Sequence, residues 1–492
     1  MSIESKKSVQ GVSQELTRLE QVGLWIHEHP TTIKVLKVAG LVLGVALIAS
    51  VALTAPILAT SVVIGLGFTG ALLTLASSVA LFALDLIVPP HHDMKHHLFK
   101  PNQCEGGRLY YQGDVPVLSL DSDDPFKAGK AHGYLCGEAI NRLSKRFDLV
   151  LHTLGGQPRA DRLKRTLFAM RQIIPTEYLR EMEGLVQGYD QWAQEQHWWQ
   201  FSKKITVDDV LLLHLIPDSL NFQPGAFESA LRKSSVETEN RNISQSIAVG
   251  CSAVIERDSR TGFRFARNMD WPSFGLAGAY SLVINRKHTN GLLNTVEVGM
   301  PGFIGTLTGM NSEGLSLAMN VCSGGKTSAL RGMPASFYNR SCLEKCRTVE
   351  DVKRFTHHQS PLGAYHLTVA DRDQAESIHF YQSNQNTHLI RRWRKNQPLS
   401  TLNCRYSPEP NCAMHYSVER QKLIDAFFQD RNNRPLEEVL SLPYVNNWLT
   451  THRVVMEPKT RSFRVAFDNA FAGKAPLHEV PSLRLLQTST NN

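Results

Sequence analysis

Three side chains in one short stretch have the types and spacing to activate a sulfur nucleophile. Cys251 opens the run Gly250-Cys251-Ser252-Ala253-Val254-Ile255-Glu256. A turn at Arg260-Thr261-Gly262 follows, then Phe263-Arg264-Phe265-Ala266 and Arg267-Asn268-Met269-Asp270-Trp271. Two runs of strand-forming residues about a Gly-containing turn predict a β-hairpin, which returns Arg267 and Asp270 to the side of Cys251. A guanidinium there lowers the thiol pKa, and a carboxylate orients an amine or the guanidinium. The stretch holds no histidine base. Cleavage of the Gly250–Cys251 bond would supply one, because the new α-amine, with a reference pKa of about 7.7 to 8.0, accepts the thiol proton near neutral pH. A flexible Gly250 suits a peptide bond that must distort to be attacked by the next side chain.

The cysteine, the arginine sixteen residues later and the aspartate nineteen residues later resemble the N-terminal-nucleophile cysteine hydrolases. That group comprises acid ceramidase, N-acylethanolamine acid amidase, bile salt hydrolase and the penicillin-forming acyl-coenzyme A acyltransferases. The resemblance runs from about Gly106 to Asp468. Gly133-Tyr134-Leu135-Cys136-Gly137-Glu138 is similar to the segment before the nucleophile in the acyltransferase branch, with plain helix packing as the alternative. Gly309-Met310-Asn311-Ser312-Glu313-Gly314-Leu315, leading to Ala318-Met319-Asn320, is similar to the run that carries an asparagine to the pocket of bile salt hydrolase-like members. The resemblance thus makes Asn320 a candidate for oxyanion contact through its backbone N–H. Leu399-Ser400-Thr401-Leu402-Asn403 ends in the residue that matches the second oxyanion asparagine. Tyr416-Ser417-Val418-Glu419-Arg420 resembles the segment whose arginine supports the site, and a surface helix arginine is the rival reading.

What the resemblance implies is an α+β fold, an αββα sandwich of two antiparallel sheets between helical layers. It also implies a self-processing amidase. The Cys251 thiol would attack the preceding carbonyl, and the freed N-terminal residue would then attack the carbonyl of an N-acyl substrate, a small molecule or a lipid amide. Arg267 would bind substrate or stabilise the thiolate, Asp270 would hold the amine, and Asn320 and Asn403 would stabilise the oxyanion. The expected partners are the N-acyl substrate, a membrane, and the two cleaved halves associated with each other. No cofactor and no metal are expected. An acyl acceptor other than water would make the protein an acyltransferase. The rivals are a catalytically inactive, membrane-inserted interaction scaffold and a thiol-dependent ester or phospholipid hydrolase.

The elements around this site bound the rest. At 492 residues the chain exceeds the size at which one core stops growing. Its net charge of +8 comes without a Lys/Arg block interleaved with aromatics, so nucleic acid is not expected as a partner. The eight cysteines lack the density and spacing of a disulfide scaffold, which fits a reducing compartment. Residues 1–35 are polar. Forty-seven residues between Lys37 and Asp85 carry no Asp, Glu, Lys, Arg or His, against the roughly 20 that cross a bilayer as a helix. The reading is a two-helix transmembrane hairpin over 36–90, with spans near Val38–Thr54 and Ser61–Leu84 and a turn at Pro56. Lys34, Lys37, Lys95 and Lys100 flank both outer ends, which predicts a catalytic domain on the cytoplasmic side.

His91-His92-Asp93-Met94-Lys95-His96-His97 reads as a solvated juxtamembrane segment, with metal binding as the alternative. Residues 91–250 form a linker and pro-segment with strands near Arg108–Gln112 and Val115–Leu120. Helices are expected over Asp124–Lys145, Leu163–Gln187 and Val207–Leu215. The catalytic domain is 251–492, with strands at Tyr280–Asn285, Leu293–Val298 and Tyr365–Ala370. Helices at Ala335–Cys346 and Thr348–Thr356 and a second hairpin over Arg453–Phe467 complete it.

Overall fold

The computed structural model describes residues 98–145, 173–196, 202–215, 250–271, 276–322, 332–381, 388–404 except 396, 416–447, 449–468 and 471–480, with isolated positions at 171, 217, 218 and 406. The strands are β1 (Asn102–Cys104), β2 (Gly107–Gln112), β3 (Val115–Leu120), β4 (Gly250–Asp258), β5 (Gly262–Asp270) and β6 (Leu282–Arg286). They continue as β7 (Thr295–Gly299), β8 (Thr308–Asn311), β9 (Ser316–Val321), β10 (Tyr365–Ala370) and β11 (Ala375–Phe380). The last are β12 (His388–Arg392), β13 (Leu399–Thr401), β14 (Thr450–Glu457), β15 (Ser462–Phe467) and β16 (His478–Glu479). Six helices matter for the site: α1 (Pro125–Leu135), α2 (Thr176–Glu195), α3 (Val207–Leu215), α4 (Ala335–Lys345), α5 (Val349–His358) and α6 (Ser417–Gln429).

The strands form two sheets. One has ten strands in the order β1-β2-β3-β6-β7-β8-β9-β10-β11-β12, and the other has six in the order β13-β4-β5-β14-β15-β16. Among the described residues all strand pairings within the sheets but one are antiparallel; β3 lies parallel to β6, with Val117 opposite Val283. Many strands are buried on both faces, as in β3, β9, β10 and β11. That follows from a layered architecture in which each sheet is covered on either side.

Three apolar cores define the layers. Between the sheets, Val117, Val283, Met310 and Ala318 meet Ile255, Phe265, Val454 and Val465. On the outer face of the ten-stranded sheet, Leu282, Leu317 and Leu367 pack with Tyr178 and Leu185 of α2, Leu211 of α3 and Phe337 of α4. On the outer face of the six-stranded sheet, Val254, Ala266 and Val455 pack with Ile424 and Phe427 of α6. The order of layers is helix, sheet, sheet, helix, the αββα sandwich expected.

The segment before Cys251 is part of this sandwich. It supplies β1, β2 and β3 at one edge of the large sheet, and α1 to α3 over it. Asp124 caps α1 by accepting from the Phe126 N–H at 3.0 Å, with Pro125 at the first helical position, where its missing N–H costs nothing. Helices α1 and α2 pack backbone to backbone. A Cβ on Gly129 or Gly133 would stand 1.9 Å from the carbonyl oxygen of Glu181 or Leu185, and one on Gly184 or Gly188 would stand 2.0 Å from that of Phe126 or Lys130. Helix packing is thus what Gly133 serves.

Two expectations need correction. Membrane localisation is not upheld: among the described residues no helix is long and apolar enough to cross a membrane. The uncharged run with both expected spans, and the histidines at 91–97, lie outside the described residues. Cys404 is disulfide-bonded, which departs from the expectation of reduced cysteines throughout. Spacing along a chain does not reveal which thiols the fold brings together.

Candidate active site

The predicted hairpin is β4–β5. Asp258 Oδ1 accepts from the N–H groups of Arg260 and Thr261 at 2.8 and 2.9 Å. Gly262 then takes φ +79°, a left-handed conformation that favours glycine. The register places Gly250 opposite Asp270, Cys251 opposite Met269 and Ala253 opposite Arg267. Strand β13 pairs with β4 through Thr401 and Ala253 and so brings Asn403 to the same end. Strand β9 of the other sheet brings Asn320, the first turn of α6 brings Arg420, and β14 brings Thr450 and His452. Cys251, Arg267, Asp270, Asn320, Asn403 and Arg420 are all buried.

Around the sulfur, Arg267 Nη2 donates to Cys251 Sγ at 3.6 Å and to the Met319 carbonyl at 2.6 Å. Its Nη1 donates to Thr308 Oγ1 and, at 3.0 Å, to His452 Nε2. Burial pushes the thiol up from its ordinary value, and Asp270 adds to that. Arg267 and the main-chain N–H of Asp270 pull it down without cancelling the effect. The sulfur therefore rests as a neutral thiol. Burial also raises Asp270, to about 6, against the lowering effects of Arg420, the Thr450 hydroxyl and the Asn447 amide. Thr450 Oγ1 donates to Asp270 Oδ1 at 2.7 Å and Asn447 Nδ2 to Oδ2 at 2.9 Å.

Around the peptide group, Asn403 Oδ1 accepts from the Cys251 N–H at 2.8 Å and from Arg420 Nη2 at 2.9 Å. The Cys251 carbonyl accepts from Arg420 Nη1 at 2.7 Å and Asn320 Nδ2 at 3.1 Å. Arg420 is further held by Ser252 Oγ and Ser417 Oγ, each at 3.0 Å. It is a buried clamp on the nucleophile's own residue, so the surface-helix reading of Arg420 falls. Asn320 Nδ2 gives its other hydrogen to the Thr401 carbonyl at 2.9 Å, and Asn403 Nδ2 donates to the Val321 carbonyl at 2.7 Å. A side-chain amide has two N–H groups. Asn403 therefore keeps one unspent. Both amide hydrogens of Asn320 are taken, and its main chain pairs with His366 in the β9–β10 ladder, so the backbone oxyanion contact expected from Asn320 is not on offer; its amide instead holds the Cys251 carbonyl.

Sequence reasoning missed His452, Thr308, Asn447, Thr450 and Ser417. Each is an ordinary polar residue in a strand or turn, and only the pairing of β14 with β5, Thr450 opposite Asp270 and Val454 opposite Arg267, marks the β14 residues.

A cavity of about 40 Å³ adjoins the hairpin. Its wall is largely apolar, with Leu213, Met269, Trp271, Val298, Met300, Phe303 and Leu307, together with Ser281, Thr451 and His452. Phe303 is fixed by two histidines from the segment before Cys251. The N–H of Gly302 donates to His132 Nε2 at 3.1 Å, and that of Ile304 to His214 Nε2 at 2.7 Å. The His214 ring stacks on Phe303 with centroids 4.5 Å apart. Unbranched Met269 and Met300 are the side chains of this wall best able to move aside and widen the cavity.

Residues 256–404 match the family model described as acyl-coenzyme A:6-aminopenicillanic acid acyl-transferase. The matched range contains Arg267, Asp270, Asn320 and Asn403; Cys251 and Arg420 flank it. No curated protein matches the chain. Similar solved structures include a Caenorhabditis elegans N-acylethanolamine-hydrolyzing acid amidase ortholog, with 17% identity over 47% of this chain and 100% of that one, at TM-score 0.35. Two variant forms of the conjugated bile acid hydrolase of Clostridium perfringens are also similar. One has 11% identity over 47% of this chain and 92% of that one, and the other 10% over 48% and 93%, each at TM-score 0.30. The resemblance to the N-terminal-nucleophile cysteine hydrolases, read from the cysteine, arginine and aspartate of one hairpin, is thus met by a family match over residues 256–404.

Proposed function

We propose that this chain is a self-processing cysteine amidohydrolase that cleaves N-acyl amides through an acyl-thioester on Cys251. The observation that carries this reading is the double hold on Cys251: its N–H on Asn403 Oδ1 at 2.8 Å and its sulfur beside Arg267 at 3.6 Å. In processing, the sulfur bonds the Gly250 carbonyl carbon, the thiol proton passes to the Cys251 nitrogen, and the C–N bond breaks. Water then splits the thioester into the Gly250 carboxylate and the free thiol. The new α-amine stays on Asn403 Oδ1 beside Asp270. It supplies the base that the uncut site lacks, and the thiol kept neutral by burial then ionises against Arg267.

In turnover the thiolate attacks the substrate carbonyl carbon, and the α-ammonium gives its proton to the leaving amine. The remaining amide hydrogen of Asn403 stabilises the developing oxyanion, while Asn320 holds the Cys251 carbonyl through its side chain. Water releases the acid. The apolar cavity favours an apolar acyl group, including that of a lipid amide. The halves stay together after cleavage, because the first half supplies three sheet strands and part of the cavity wall.

Amine release from a panel of N-acyl amides tests the reading: the wild type liberates amine and Cys251→Ala does not, while equal rates in both would overturn it. The match at residues 256–404 favours acyl transfer to an amine as the second reading. An added amine acceptor would then divert the acyl group from free acid to a new amide.

A further inference from the structure

His452 sits in β14, buried, in the wall of the apolar cavity beside Met269 and Trp271. Its Nε2 lies 3.0 Å from Arg267 Nη1. A guanidinium has only donors, so Nε2 must be the acceptor and carry a lone pair. Burial, with the Arg267 charge beside it, keeps this imidazole neutral. A neutral imidazole has one N–H, and here it is on Nδ1. That N–H makes no hydrogen bond among the described residues. Phe467, edge-on with ring centroids 6.3 Å away, offers no lone pair at that distance. This unpartnered donor belongs to a residue that lines the cavity, where a ligand's acceptor can reach it.

We propose that His452 is a specificity-determining residue whose Nδ1–H is offered to the cavity, selecting N-acyl amides whose acyl group carries an oxygen acceptor such as a hydroxyl or oxo group. The inference rests on the amidohydrolase reading above. An all-hydrocarbon chain would leave the N–H unpaired in an apolar wall, whereas an oxygen-bearing chain pairs it. Such a residue discriminates by satisfying or stranding a buried polar group, which separates substrates better than fit alone.

The test compares hydrolysis of two anilides, one of dodecanoic acid and one of a hydroxydodecanoic acid of equal chain length. Wild type is expected to favour the hydroxylated chain by about three- to tenfold in kcat/KM, the worth of one neutral hydrogen bond, mostly through KM. In His452→Gln the side-chain carbonyl can still accept from Arg267 but the ring donor is gone, and the preference should fall to about one. The rate of thiol alkylation in that variant reports any effect passed through Arg267. A wild type without preference, or a variant that keeps it, overturns the inference while leaving hydrolysis of the plain anilide as support for the amidohydrolase. If neither anilide is cleaved and no other N-acyl amide is, both readings fall together. Should the variant not fold, the wild-type ratio alone decides.

Discussion

Arg267 is a buried cation that makes no ion pair with a carboxylate among the described residues; its partners are a hydroxyl, a carbonyl, an imidazole and the thiol. The thiolate is the contacting group that would gain most from it. Arg267→Gln removes the positive charge while leaving a side-chain amide donor. Alkylation of Cys251 by iodoacetamide at pH 7 should then slow about tenfold or more, since an opposite charge at this range shifts a pKa by about 1 to 3 units. Its pH midpoint should rise, as mass spectrometry of the modified peptide would show. An unmoved midpoint would remove Arg267 from thiolate stabilisation. Asn403→Ala strands two buried donors, the Cys251 N–H and Arg420 Nη2, at a cost of about 1 to 3 kcal/mol. Slower self-cleavage on a gel time course is the expected outcome. Cleavage at the wild-type rate would show that Asn403 does not hold the amine. At this scale the sequence was most legible, because Cys251, Arg267 and Asp270 lie on one hairpin whose strand pattern and turn can be read directly. The carriers Thr308, Asn447, Thr450 and His452 were not, since a lone Thr or His in a strand looks the same wherever it points.

The elements that hold the cavity wall come from the half of the chain before the nucleophile. Glu181 of α2 bonds Arg286 of β6 and Arg340 of α4, each at 2.7 Å, and both arginines also donate to the Ile304 carbonyl. Glu181→Gln would leave two buried guanidinium groups short of a charge, a loss of about 3 to 5 kcal/mol that urea unfolding would register. Loss under 1 kcal/mol would mean that Glu297 and Glu344, the arginines' other partners, neutralise them unaided. His214→Leu keeps an apolar filler but removes the acceptor for the Ile304 N–H. The expected result is a raised KM for apolar acyl substrates with kcat largely kept, and an unchanged KM would sever the wall from α3. None of this network was legible in the sequence. Its members lie up to 159 residues apart, and charged residues on a helix pattern read as solvent-facing until the sheet that covers them is known.

Across the whole molecule, buried histidines set the response to acid. His132, His214 and His366 are held down to about 3, 4 and 3 by burial, with His379 and His452 also lowered. An imidazole lowered in the folded state adds stability that is complete above its unfolded value of about 6.5 and lost as pH falls toward the folded value. Glu181 acts in the same direction lower down: burial alone would raise it, and Arg286 and Arg340 overcome that to hold it at about 2. Asp270 and Asp218, raised by burial to about 6 and 7, oppose the trend, since their buried carboxylates cost stability at higher pH. Among the described residues the lowered histidines outnumber the raised carboxyls, His288 and Asp190 included, which predicts a melting temperature that falls from pH 7 to pH 4, by on the order of 10 °C. A flat profile would mean that these imidazoles protonate without unfolding. The sandwich itself was foreshadowed by the alternation of strand and helix patterns and by the family resemblance, but Cys251 was read as a domain edge, whereas the large sheet takes strands from before and after it. A strand's neighbour in a sheet is not written in its own residues, and β3 beside β6 joins the segments on either side of Cys251. Whether Cys251 becomes a chain terminus is decided by intact mass with N-terminal sequencing of purified protein. The expected result is a new terminus at Cys251 in the wild type and none in Cys251→Ala; a wild-type chain that stays whole across pH 4 to 8 would rule out self-processing.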